Sequence, residues 1–212
     1  LISLSNLSDD RMRIAKSGNW WELNGQRALA NNSACYTETP DMAQFMSEWQ
    51  ALYLSHSGER GIFNRTAARK FSPERRDTDW EFGTNPCSEI VLRPNQFCNL
   101  SEVIVRPKDT LKDLKRKVEI ATIIGTMQAT LTEFRYLRSS WKKNTDEEAL
   151  LGVSLTGIMD HQTLSTCKDI TKKWLREMKD VAINTNETWA DRLGINPSTA
   201  ITCVKPSGTV SQ

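Results

Sequence analysis

The chain has 212 residues, of which 38% are hydrophobic and 25% charged. That composition fits a globular protein with room for one domain and a subdomain. The net charge of +2 carries no polyelectrolyte signal, so nothing in the charge supports binding to nucleic acid or to a membrane surface.

No run of about 18 apolar residues is present, so no transmembrane helix is expected. The opening stretch LISLSNLSDDRM lacks the basic flank and apolar core of a signal peptide. The five cysteines, Cys35, Cys87, Cys98, Cys167 and Cys203, are odd in number and form no CxxC pair. They read as intracellular thiols in a cytoplasmic protein. Neither histidine, His56 or His161, stands at ligand spacing from a cysteine, so no metal site is expected.

In chain order, LNGQRALANNSACYTETP begins irregular, and SACY reads as a short strand. A helix follows, with Thr39 as candidate N-cap and Pro40 in its first turn. It should end near Ser57 and Gly58. Met42, Phe45, Met46, Trp49, Leu52 and Tyr53 recur at spacings of three and four and are expected to face the core. The charged stretch RTAARKFSPERRDTDW, broken by Pro73, reads as a loop. NPCSEIVL and NLSEVIV read as strands.

The stretch from Asp109 to about Leu137 is the clearest helix, apolar in its second half. SWKKNTDEEALLGVSLTGIMD reads as a loop followed by a short strand or helix start. A second amphipathic helix covers the region after Ser165, with Ile170, Trp174, Leu175, Met178 and Val181 as its core face, and STAITCV is a β-rich run. Cys167 and Cys203 are expected to be core thiols. Long helices alternating with short apolar strands give an α/β fold with a largely parallel sheet or barrel.

NPCSEI places an amide, a thiol and a carboxylate at every second residue, Asn85, Cys87 and Glu89. In an extended segment alternate side chains share a face, and Pro86 disfavours a helix here. A carboxylate beside a thiol disfavours the thiolate, and no histidine lies nearby to activate it. The set suits chemistry in which sulfur stays neutral, with Glu89 as a base on a substrate hydroxyl. A strand carrying a buried structural cysteine fits the same residues. Cys98 lies eleven positions after Cys87, where a returning strand could bring a second thiol to the pocket. CVKPSGTVS combines an apolar run, a Pro-Gly turn and hydroxyls at Ser207, Thr209 and Ser211. It reads as a phosphate cradle or as an ordinary N-capped turn.

Taken in chain order, SGERGIFNR, NPCSEI, FCNLSEV, LLGVSLTGIMD and KPSGTVSQ resemble the catalytic subunit of ribonucleotide reductases. The resemblance spans essentially the whole chain and is closest to the adenosylcobalamin-dependent (class II) ribonucleoside-triphosphate reductases. It implies a ten-stranded α/β barrel with a central finger loop, incomplete here, so that residues 1–212 are part of one catalytic barrel domain. It implies Cys87 as the thiyl radical that takes the ribose 3′-hydrogen, Glu89 as the base on the 3′-hydroxyl, and Asn85 as the amide on the sugar hydroxyls. Cys98 becomes one of two reducing cysteines, its partner not being assigned. Ser207, Gly208, Thr209 and Ser211 become the substrate-phosphate loop, and Gln26 and Arg27 become contacts of an effector and base loop.

The implied cofactor is adenosylcobalamin, and the implied partners are a ribonucleoside triphosphate, a deoxynucleotide effector and a thioredoxin-like reductant. The chain starts without Met and stops within a motif, and it lacks the family's C-terminal cysteines. It is therefore expected to be a fragment, inactive alone. Two other readings stay open: the same chemistry driven by a separate radical-generating subunit, and a non-catalytic nucleotide-binding module using only the phosphate loop.

Overall fold

The computed structural model describes residues 2–56, 60–166 and 168–205. They fall into two compact units. One runs up to Ser72 and resumes over Asp77–Pro94; the other takes Pro73–Arg76 and everything from Asn95 onward.

The first unit is built on a three-stranded parallel sheet, β1 (Ile2–Ser5), β2 (Asn31–Tyr36) and β3 (Gly61–Asn64), in that spatial order. β2 is the middle strand. Asn32, Ser33, Ala34 and Tyr36 are all buried, as a strand covered on both faces requires. Two short helices, α1 (Asp10–Arg13) and α2 (Trp20–Leu23), and a 3₁₀ turn over Gly25–Leu29 connect β1 to β2. The longer α3 (Met42–Ser55) connects β2 to β3. Its N-cap is Asp41, whose carboxylate accepts from Gln44 N at 2.8 Å. Thr39 and Pro40 therefore lie outside the helix, and it stops at His56, which takes a left-handed conformation. β3 runs into α4 (Arg65–Lys70), a helix within a stretch expected to be loop.

Four of the six α3 residues expected in the core do not face it, while Phe45 and Leu52 do. Met42, Met46, Trp49 and Tyr53 are 73%, 56%, 50% and 76% exposed. The inward stripe lies one position away and contains half-buried Phe45 and Leu52 with buried Glu48 and Ser55. Glu48 is the reason. Its carboxylate accepts from Arg13 Nε at 2.7 Å and from Arg60 Nη1 at 2.8 Å, so a charge occupies the position that periodicity assigns to an apolar side chain.

The second unit rests on β6 (Asn99–Ile104) and β7 (Leu151–Thr156), paired in parallel from Asn99 opposite Leu151 to Ile104 opposite Thr156. Val153 also bridges Thr202 in parallel, which is all that STAITCV contributes as β structure. Two helices join the strands, α5 (Leu111–Gln128) and α6 (Ser139–Glu148). Thr110 and Asp113 close a capping box at the start of α5, so Asp109 precedes the helix. The helix also stops nine residues before Leu137. Leu114 and Val118 of α5, Val103 and Val105 at the end of β6, Leu151 and Val153 of β7, and Met178 and Ala182 of α7 (Asp169–Leu193) form one core. Full burial of each larger aliphatic side chain contributes about 1.5–3 kcal/mol. Of the expected α7 face, Met178 is buried, Trp174 and Val181 pack on the core, and Ile170 and Leu175 are each 44% exposed.

Gly157, which follows β7, has φ +78°, and a Cβ there would stand 2.6 Å from Val105 O. Both facts demand glycine. A polar node lies elsewhere in this core: Asn186 Nδ2 donates to Thr126 Oγ1 and Ser198 Oγ, and Asn186 Oδ1 accepts from Ser198 N. His161 is buried and bonded. Its Nε2 meets Asp109 O at 2.8 Å, and its Nδ1 accepts from the Thr163 and Leu164 amides. Among the described residues no cluster of His, Cys, Asp or Glu could hold a metal ion, and no helix is long and apolar enough to cross a membrane.

Candidate active site

NPCSEI is not an extended strand. β4 (Gly83–Thr84) and β5 (Val91–Leu92) pair antiparallel, and residues 85–90 form the loop at their tip. Asn85 N donates to Ile90 O at 3.2 Å, and Thr84 Oγ1 donates to the same carbonyl at 3.0 Å. Ser88 N returns to Asn85 O at 3.0 Å, closing a turn with Pro86 second and Cys87 third. Proline's fixed φ suits that second position. Ser88 then takes φ +66°. The alternation rule for extended chains has no purchase on such a loop.

The loop leaves Cys87 exposed at its apex, with Asn85 and Glu89 half-buried and Ile90 buried. Asn85 acts first as a brace, since its Oδ1 accepts from Ile90 N at 3.1 Å. The approach to the hairpin is held by side chains of the same unit. Arg65 Nε donates to Phe82 O at 2.7 Å, Trp80 Nε1 donates to Asp77 Oδ2 at 3.0 Å, and the Arg93 guanidinium lies 4.3 Å from the centre of the Trp80 ring. Asp77 also accepts from the Asp79 amide, and that bond chiefly holds its carboxyl below the usual range. From β2, Asn31 Nδ2 donates to Pro86 O at 2.5 Å. The strand that follows the expected effector loop thus touches the residue before Cys87. Gln26 and Arg27 themselves are exposed on the 3₁₀ turn, with Arg27 donating to Ala15 O.

Cys98 belongs to the second unit. It is half-buried just before β6 and lines a pocket of about 270 Å³ together with Phe97, Asn99, Gln128, Thr132 and Phe134. The Phe97 ring sits 4.7 Å from Trp141 and 5.0 Å from Phe134, centre to centre.

Ser207, Gly208, Thr209 and Ser211 lie outside the described residues, as does Cys167. The segment leading to the phosphate-loop motif is described as far as Lys205, whose N–H donates to Ser154 Oγ at 3.4 Å. Glu102 stands opposite Ser154 on β6. Burial pushes its carboxyl up, and the Lys205 charge and the Ser154 hydroxyl pull it partly back.

Sequence reasoning missed this Glu102–Ser154–Lys205 group because its members come from β6, from β7 and from the segment after the Thr202 bridge, about 50 residues apart along the chain. The only local signal was the alternation of NLSEVI, which puts Glu102 on the opposite face from Val103. Cys203 is half-buried and lines a separate pocket of about 490 Å³, mostly apolar, between α5, α7 and β7.

No protein-family model matches the chain. Curated relatives do match, and the three described next are each named adenosylcobalamin-dependent ribonucleoside-triphosphate reductase. The Lactobacillus acidophilus protein is 29% identical over 189 residues, covering 75% of this chain and 25% of that protein. The Levilactobacillus brevis protein is 27% identical over 246 residues, covering 100% and 31%. The Euglena gracilis protein is 28% identical over 162 residues, covering 73% and 21%. A crystal structure of a B12-dependent (class II) ribonucleotide reductase superposes with a TM-score of 0.70 at 23% identity, over 98% of this chain and 32% of that one. The chain therefore spans between a fifth and a third of the length of these proteins. In sequence it is a relative of the adenosylcobalamin-dependent ribonucleoside-triphosphate reductases, and in fold it is similar to a class II ribonucleotide reductase along nearly its whole length.

Proposed function

We propose that these residues are part of the catalytic core of an enzyme that reduces ribonucleoside triphosphates to 2′-deoxyribonucleotides with adenosylcobalamin, in a ten-stranded α/β barrel that the chain supplies in part. The observation that carries the reading is the agreement of sequence and fold with one family over almost the entire chain, with NPCSEI at a hairpin tip where Cys87 is exposed.

In this reading Cys87, as a thiyl radical, takes the 3′-hydrogen of the ribose. Glu89, half-buried two residues on, takes the 3′-hydroxyl proton. Asn85 offers its amide N–H to the sugar hydroxyls while its oxygen keeps the loop closed. The 2′-hydroxyl leaves as water. Two thiols, Cys98 and a partner cysteine, give up two electrons and two protons and become a disulfide, which a thioredoxin-like dithiol reduces. Ser207, Gly208, Thr209 and Ser211 hold the phosphates. Gln26 and Arg27, on the turn before β2, respond to a deoxynucleotide effector.

Adenosylcobalamin, when bound, supplies the one-electron oxidation of a thiol. The exposed Cys87 apex fits a thiol that such a group must reach.

The test is turnover by a full-length protein containing this sequence, given a ribonucleoside triphosphate, adenosylcobalamin and a dithiol. Deoxyribonucleotide should form, and omission of the cofactor should stop it. Turnover that needs a separate radical-generating subunit instead would reassign the radical source. Nucleotide binding without turnover under either condition would sink the enzyme reading.

A further inference from the structure

Glu148, the last residue of α6, is fully buried at 0% exposure, and it is held on both oxygens. Arg76 Nε donates to Oε1 and Arg76 Nη2 to Oε2, each at 2.8 Å. Gln96 Nε2 donates to the same Oε2 at 2.7 Å and to Asn144 O at 3.0 Å. Arg76 and Gln96 are themselves buried, at 5% and 4% exposure.

Stability is a weak reason to keep such a group, because an apolar set of similar volume commonly serves a core as well. Its location is more informative. Arg76 comes from the short Pro73–Arg76 stretch of the second unit, Glu148 from α6, and Gln96 stands two residues before Cys98. The backbone is pinned on either side of that thiol as well. Phe97 N donates to Thr145 Oγ1 at 3.4 Å, one turn of α6 before Glu148, and Asn99 N donates to Leu150 O at 2.9 Å.

We infer that Arg76, Glu148 and Gln96 form a clamp that positions Cys98 for its reducing role, fixing the backbone of residues 96–99 so that only the thiol moves between its reduced and disulfide states. The inference rests on the function proposed above. The physical reason is the narrow geometry of a disulfide, whose Cβ atoms stand about 3.8 Å apart. A shift of about 1 Å at a reacting group is enough to cost a large part of its rate. These are positioning residues, and none of them is placed against the substrate.

The experiment uses the full-length protein and the variant Gln96→Met, which keeps side-chain length and removes both donors. Two amplitudes are read in parallel: the radical signal formed on mixing with adenosylcobalamin and nucleotide, and the product formed per chain in one turnover without external dithiol. The clamp predicts a product amplitude at least fivefold lower with the radical amplitude and the nucleotide KM unchanged within twofold. Should Gln96→Met fail to fold, Arg76→Lys carries the same expectation, since it keeps the charge and gives up one of the two bonds. Equal losses in both amplitudes, or no loss in either, would overturn the clamp alone. A wild-type protein without turnover would overturn the proposed function and the clamp with it.

Discussion

Asn31 donates its side-chain amide to the carbonyl of Pro86 at 2.5 Å. That single bond joins the first residue of β2, just past the Gln26–Arg27 turn, to the apex of the loop that carries Cys87. The carbonyl it engages is in the residue immediately before the thiol, so it restrains the peptide on which Cys87 sits. Replacing Asn31 by Ala should loosen the apex without unfolding the sheet. The expected outcome is alkylation of Cys87 by a neutral reagent about 2- to 10-fold faster, the range set by the loss of one net hydrogen bond. Timed labelling followed by peptide mass analysis reads it.

The N-terminus of α5 gives a pH-dependent prediction. The Thr110 hydroxyl and amide both donate to the Asp113 carboxylate and hold its carboxyl below the usual range. A carboxylate whose value is depressed on folding stabilises the fold above its unfolded value, about 3.9, and that contribution disappears as pH falls through the lower folded value. Asp113→Asn should therefore flatten the acid limb of the stability curve below about pH 4. Thr110→Ala should cost about 1 kcal/mol near neutrality. Melting temperatures measured across the pH range check both.

Arg76→Met leaves Glu148 as a buried carboxylate without its bidentate partner, and such a loss costs about 3–5 kcal/mol. Adding Glu148→Leu removes the stranded charge and should return at least half of that loss. Urea unfolding of the single and double variants distinguishes this non-additive pattern from two independent defects.

Gly157→Ala should destabilise by about 1–3 kcal/mol, because alanine must hold a left-handed φ and its Cβ meets Val105 O. Thermal melting reads it directly, and Gly25→Ala, where a Cβ meets nothing within 4 Å, serves as the control.

Much of the scaffold was written into local sequence. α5 and α7 were visible because their apolar positions recur over many turns, and the strands NLSEVI and SACY because their β-rich runs are bounded by breakers. α6 was not, since SSWKKNTDEE is polar and its buried members are Asn144, Thr145 and Glu148. Periodicity picks out Phe45 and Leu52 of α3 correctly but misplaces Met42, Met46, Trp49 and Tyr53, because the inward position of Glu48 depends on two arginines from elsewhere in the unit.

In sequence the hairpin is hard to tell from a single strand because β4 and β5 have two residues each, too few to show alternation. Pro86 was the available signal for a turn. The residue types of the candidate site stood out in sequence, but their supports did not. Arg76 and Gln96 lie 72 and 52 residues from Glu148, and no local pattern encodes a pairing at that range.

In the proposed reaction the sulfur of Cys87 starts the chemistry. The most direct measurement compares wild type and Cys87→Ser in the full-length protein, following deoxyribonucleotide formation from a ribonucleoside triphosphate with adenosylcobalamin and a dithiol, alongside nucleotide binding. Cys87→Ser is expected to bind the nucleotide as wild type does and to form no product above background. Continued product formation by Cys87→Ser would contradict it.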